Sequence, residues 1–126
     1  MKQQNIPEGY QQVMPYLILK DAAGFLSFAQ EVFDATEKMK HMRSETEIMH
    51  AEIKIGESTI MLAEASEQWE VQTAGLFVYV EDAHETYQRA LQNGAASILE
   101  PAQQSYGLSC GVKDPAGNTW WITSLV

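Results

Sequence analysis

Tyr16-Leu17-Ile18-Leu19-Lys20-Asp21-Ala22 and Phe77-Val78-Tyr79-Val80-Glu81-Asp82-Ala83 are two versions of one pattern, offset by 61 residues. Each is an apolar, strand-like run that ends in a charged residue and then Asp-Ala. Self-similarity at a fixed offset defines an architecture before any single element is assigned. An aspartate at this point accepts hydrogen bonds from the free N–H groups of a helix start, so Asp21 and Asp82 are expected N-caps. Helical spacing follows both. Phe25, Phe28, Ala29, Val32 and Phe33 fall at i, i+3, i+4, i+7 and i+8, and Ala83, Tyr87, Ala90 and Leu91 keep the same period. Asn93-Gly94 stops the second helix, because glycine tolerates the left-handed conformation there.

Strand patterns follow each helix. In the first copy they cover about 37–43, 48–55 and 58–63, with Gly56-Glu57 as the tight turn between the last two. In the second they cover about 96–99, 108–113 and 119–124, with a polar loop at Gln103 to Ser105 and a turn over Asp114 to Asn118. Glu67 to Thr73 links the copies. Strand, helix and three strands, twice over, predicts an α+β protein of paired βαβββ modules. The modules span 13–64 and 74–126 of a single 1–126 domain, and their curved mixed sheets surround a cavity.

Composition narrows the function classes. Hydrophobic residues make up 45% and charged residues 20%, which suits a globular core and argues against disorder. The net charge is −9, so no basic surface for nucleic acid is expected. No apolar run approaches the roughly 20 residues of a membrane span. The opening MKQQNIPEGYQQ has no apolar core of a secretory signal. Cys110 is alone, so no intrachain disulfide is expected. These features together predict a cytoplasmic location.

Side chains alternate along a strand, so one assigned residue assigns the rest. In 48–55 the row Met49, Ala51, Ile53 and Ile55 is expected under the helix, leaving His50, Glu52 and Lys54 on the concave face. In the other strands the core rows are Val13, Leu17 and Leu19; Ile60 and Leu62; Leu76, Val78 and Val80; Leu108, Cys110 and Val112; and Trp120 and Ile122. The concave rows are then Met14, Tyr16 and Ile18; Thr59, Met61 and Ala63; Gly75, Phe77 and Tyr79; Ser109 and Gly111; and Thr119, Trp121 and Thr123. From these the expected ligand-cavity residues are Met14, Tyr16, His50, Glu52, Thr59, Met61, Phe77, Tyr79, Ser109 and Trp121. Apolar walls with a few polar groups suit a small-molecule pocket. A second hydrophobic core or a dimer interface would use the same residues.

Ile6-Pro7-Glu8-Gly9-Tyr10, Met14-Pro15-Tyr16-Leu17 and Met49-His50-Ala51-Glu52-Ile53-Lys54-Ile55-Gly56 are familiar runs. So is Tyr106-Gly107 followed by Asp114-Pro115-Ala116-Gly117-Asn118. In order and spacing they resemble the PhnB-like branch of the glyoxalase/bleomycin-resistance/dioxygenase superfamily. The resemblance implies the vicinal-oxygen-chelate fold, commonly as a homodimer. It also implies a divalent metal held by His, Glu or Gln at four places, which fall here on Met14, Met61, Gly75 and Trp121. None of these offers an oxygen or imidazole donor. No metal ion or other cofactor is therefore expected.

Among the histidines, His41 and His84 are expected at the surface and only His50 on the concave face. His50 and Glu52 are two apart on one strand, which places their Cβ atoms roughly 6.5–7 Å apart. That spacing suits half a metal site or an acid–base pair. A salt bridge to Lys40, Arg43 or Lys54 is the plainer reading. Three functions stay open at this point. One is a metal-independent binder of a small aromatic or cationic molecule, in the manner of the family's drug-resistance members. The second is a lyase, isomerase or dioxygenase with a divergent metal or acid–base site around His50 and Glu52. The third is a structural or regulatory dimer whose concave faces are closed by its partner. Cys110, expected in the core, reads as an inert small hydrophobe.

Overall fold

The computed structural model describes residues 5–125; residues 1–4 and the expected last residue of the second module, 126, lie outside them. The elements run β1 (Tyr16–Leu19), α1 (Ala22–Phe33), β2 (Thr36–Met42), β3 (Ile48–Ile55) and β4 (Ser58–Glu64). Then come β5 (Gly75–Tyr79), α2 (Ala83–Gln92), β6 (Ala96–Gln104), β7 (Gly107–Lys113) and β8 (Thr119–Ser124). They form two four-stranded sheets ordered β1-β4-β3-β2 and β5-β8-β7-β6. In each sheet the first strand pairs in parallel with the last, and the other pairs are antiparallel. The expected α+β fold of paired βαβββ units is what forms.

Both helix starts are capped as the repeat implies. Asp21 Oδ1 accepts from Gly24 N at 3.0 Å, and Asp82 Oδ1 accepts from Glu85 N at 3.1 Å. Every residue of the first helical stripe is buried, and so are Ala83, Tyr87 and Ala90 of the second. One core runs through both modules. Its junction is Trp120 of β8, whose ring lies 4.4 Å from that of Phe33 and 6.4 Å from that of Phe25, both on α1. The Trp120 indole N–H donates to buried Asp114 at 2.8 Å, which satisfies the polar atom of a fully buried ring. The helix-facing sides of the two sheets thus share the core. The sheets do not close on each other into a barrel, so the cavity expected between them is not enclosed by one chain.

Four expectations need correction. Val13 is not a core residue: it precedes β1 and is 86% exposed. Met49 is exposed as well. In the β2–β3 register His41 pairs with His50 but Met42 pairs with Ile48, so Met49 is skipped. That bulge turns Ile48 into the core in its place. Ile55, Leu76, Val78, Val80 and Leu108 are only partly buried, although all five pack against the core. Finally, β6 runs on to Gln104 through Pro101 and the expected polar loop. It is an edge strand with register shifts on either side of Leu99, where a proline without an N–H is tolerated.

Candidate functional site

The concave side of the first sheet carries one transverse row. Tyr16 pairs with Met61, Met61 with Glu52, and Glu52 with Met39. Paired residues point to the same side of a sheet, so these four side chains share the face. His50 joins them two residues from Glu52. The N-terminal segment crosses this face and is pinned to it. Thr59 Oγ1 donates to Gly9 O at 2.9 Å, Thr59 N donates to Gln11 Oε1 at 3.0 Å, and Gln11 Nε2 donates to Glu57 O at 3.1 Å. Lys38, skipped in the β2–β3 register, donates to Gly9 O at 3.3 Å, and its ammonium lies 3.4 Å from the Tyr10 ring centroid. A cleft of about 510 Å³ remains beside the segment, lined by Ile6, Tyr10, Met14, Glu52 and Met61 among others.

Four side chains form a continuous hydrogen-bonded chain here. Tyr10 Oη donates to Glu52 Oε1 at 2.5 Å, Glu52 Oε2 meets His50 Nε2 at 2.8 Å, and His50 Nδ1 meets Tyr16 Oη at 2.9 Å. Glu52 is 4% exposed. Burial by itself would raise its carboxyl, but the hydrogen bonds from His50 and Tyr10, the His50 ring whenever it is protonated and the Lys38 ammonium hold it below the usual carboxylate range. The Tyr10 hydroxyl is pushed above its ordinary value, first by its bond to Glu52 and then by burial and the Glu52 charge. The proton order follows. An ionised carboxylate only accepts, so His50 Nε2 carries the hydrogen that points at Glu52. In neutral His50, Nδ1 is then the acceptor and Tyr16 the donor.

The second sheet presents a different surface. Phe77 pairs with Trp121, Trp121 with Gly111, and Gly111 with Leu99 across the sheet. The Trp121 ring lies over Gly111, where an added Cβ would sit 2.5 Å from Cζ3 of the indole. The Phe77 ring is 5.2 Å from Tyr79 and 6.3 Å from Tyr106. Phe77, Tyr79, Tyr106, Leu99 and Trp121 are all exposed, an apolar patch of the kind that marks an interaction site.

The ten expected cavity residues therefore separate into two groups. Tyr16, His50, Glu52, Thr59 and Met61 belong to the first sheet, with Met14 just before β1, and Phe77, Tyr79, Ser109 and Trp121 belong to the second. Three are less available than alternation suggested. Thr59 is buried under Gly9 and Gln11, Ser109 is buried against Thr123 with their hydroxyls 2.9 Å apart, and Glu52 is enclosed by Tyr10. A larger hollow, about 1280 Å³, lies between the modules; three of the ten, Thr59, Phe77 and Tyr79, line it together with helix-side residues such as Val32, Phe33, Ile60, Val78 and Trp120. The salt bridge expected for His50 and Glu52 also falls elsewhere. Lys40 pairs with Glu37 at 3.6 Å and Arg43 with Glu47 at 3.3 Å, while Glu52 takes His50 itself. Tyr10 is not among these ten. Its only sequence signal is its place in Ile6-Pro7-Glu8-Gly9-Tyr10, a run with no strand or helix period.

The sequence profile of the Glyoxalase/Bleomycin resistance protein/Dioxygenase superfamily matches residues 10–122. The chain belongs to this superfamily. It is 29% identical over 118 residues to the uncharacterised protein Mb0911c of Mycobacterium bovis, covering 84% of this chain and 78% of that one. Among solved structures, TioX from Micromonospora sp. ML1 has the same fold, with a TM-score of 0.73 at 21% identity over 90% of this chain and 95% of that one. A glyoxalase/bleomycin resistance protein/dioxygenase family enzyme from Burkholderia phytofirmans gives 0.69 at 19% identity, covering 88% and 95%. The PhnB protein from Bacillus cereus, a putative 3-demethylubiquinone-9 3-methyltransferase, gives 0.71 at 13% identity, covering 90% and 99%.

The superfamily's divalent metal does not fit the residues present here. Met14, Met61, Gly75 and Trp121 supply no hard or borderline donor, and neither does Phe77, the register partner of Trp121. Among the described residues no three His, Cys, Asp or Glu side chains gather at one place. His50 offers no substitute. Both its ring nitrogens are engaged, one by Glu52 and one by Tyr16, so a metal would have to break the chain of bonds to reach a lone pair.

Proposed function

We propose that this superfamily member binds a small planar molecule without a metal ion, using Trp121 as a stacking wall. The observation that supports this most is the indole laid over Gly111. It leaves a broad aromatic face exposed beside Phe77, where a family enzyme would hold a metal-ligating carboxylate. A fixed aromatic face contributes apolar area with little entropy lost on binding. The net charge of −9 favours a cationic ligand over an anionic one. The chain acts as a homodimer in this reading, because two open concave faces and the apolar patch on the second leave surface for a partner to cover. The run from Met49 to Gly56 and the Bacillus cereus neighbour support the PhnB-like branch.

The test is a thermal-shift screen of planar aromatic cations and their neutral analogues, followed by titration of the best binder against wild type and Trp121→Ala. Binding that survives exhaustive chelation and is lost in the variant is expected. Binding that disappears on chelation and returns with one divalent metal would overturn the reading. Light scattering at micromolar concentration should give the mass of two chains.

A further inference from the structure

The bonded chain on the first sheet does more than hold the N-terminal segment. We propose that Glu52, His50 and Tyr16 form a proton relay that makes the Tyr16 hydroxyl a base-activated group for a phenol-like ligand. The geometry carries this. Glu52 is buried and accepts from two donors, so its charge is fixed in place and turned toward Nε2 of His50. That bond sets the tautomer and aims the Nδ1 lone pair along the sheet at Tyr16, 2.9 Å away. The imidazole also leans on the Tyr16 ring, with centroids 5.5 Å apart, which restrains both rings. Of the three, Glu52 is buried, His50 is partly buried and Tyr16 is exposed, so the chain opens to the outside at the phenol. An orienting carboxylate, a base in a fixed tautomer and an exposed hydroxyl are the parts of an activated nucleophile.

Protons balance through the relay. A ligand X–H at Tyr16 gives its proton to Oη as the Tyr16 proton moves to His50 Nδ1. The products are X⁻, a neutral Tyr16 and an imidazolium held between Glu52 and Tyr16. The reverse sequence returns the proton. The nearby walls suggest the ligand's shape. Met61 pairs with Tyr16 and, with Met14, lines the adjoining cleft, so an apolar body with a weakly acidic O–H fits, as in a phenol or enol. The relay does not rest on the Trp121 wall, which lies on the other sheet.

An aryl sulfonyl fluoride tests the relay directly. Its S–F bond breaks as the tyrosine oxygen forms S–O, with fluoride leaving and the phenol proton passing to His50. Modified peptides are mapped by mass spectrometry. Tyr16 should react ahead of Tyr79 and Tyr106, although these are 65% and 52% exposed against its 47%. His50→Gln and Glu52→Gln should each lower the Tyr16-to-Tyr79 ratio by about a hundredfold or more, the usual range of general-base assistance. Taking the ratio within one sample separates activation from partial unfolding. Tyr16 reacting no faster than Tyr79, or a ratio unchanged in His50→Gln, overturns the relay. ¹⁵N NMR of the unmodified wild type gives a second reading. The expected signal is His50 protonated at Nε2 with Nδ1 as acceptor, and the opposite tautomer overturns it.

Discussion

Trp121 and Gly111 are register partners on adjacent strands, and the indole occupies the space that a side chain at 111 would need. The two residues therefore make one surface. The glycine is a packing requirement here, since an added Cβ would fall 2.5 Å from Cζ3 and 2.8 Å from Cε3 of the ring.

Gly111→Ala should therefore lift the indole off the sheet. Overpacking of this kind typically costs about 1–3 kcal/mol. The protein should stay folded by circular dichroism while Trp121 emission shifts. The affinity for a planar ligand should fall at least about tenfold, or roughly 1.4 kcal/mol. Unchanged affinity in isothermal titration would remove Trp121 from the binding surface.

Trp120 and Trp121 should respond oppositely to truncation. Trp120 is 1% exposed and joins α1 to the second sheet, whereas Trp121 is 37% exposed. Trp120→Ala should cost about 3–5 kcal/mol in urea denaturation through the cavity it opens. Trp120→Phe keeps much of the volume but takes the 2.8 Å donor from Asp114, and should cost about 1–3 kcal/mol. Trp121→Ala should cost less than either and lose the ligand.

Glu52 should add an acid-sensitive increment to stability. Its folded carboxyl is held below the ordinary 4.5, so the unfolded chain takes up its proton first as pH falls. The contribution is complete above 4.5 and disappears as pH drops through the lower folded value. Tyr10, His50 and Lys38 face this carboxylate, and all three keep it ionised. Glu52→Gln should then be less stable than wild type at pH 7, and the gap should narrow steadily below 4.5. A gap that stays constant down to pH 3 would contradict the linkage.

Cys110 should be silent in the folded protein. It is buried in the core, and burial pushes its thiol up to about 11. Little reactive thiolate exists at pH 8. A disulfide reagent should modify it only on the timescale of unfolding, and at once in denaturant.

The sequence by itself determined the architecture, the helix stripes and the two faces of β8. The repeated Asp-Ala starts, the helical stripe from Phe25 to Phe33 and the two-residue period of β8 are short-range signals. They separate Trp120 from Trp121 without reference to any distant residue, because caps and periodicities are set within a few bonds of the chain. Only the tertiary structure decided what meets on the concave faces. Tyr10 reaches Glu52 across 42 residues, and Thr59 is closed off by Gly9 across 50. Met49 leaves the core through one skipped residue, and Lys38 is placed by another. A bulge moves side chains between faces at the cost of a single unpaired residue, and no local pattern announces it. The arrangement of the modules is of the same kind. Phe25 and Phe33 read as core of the first module, yet Trp120 of the second is their ring partner. Apolar burial is non-directional, so it dictates that these rings be covered and leaves the choice of cover to the assembled chain.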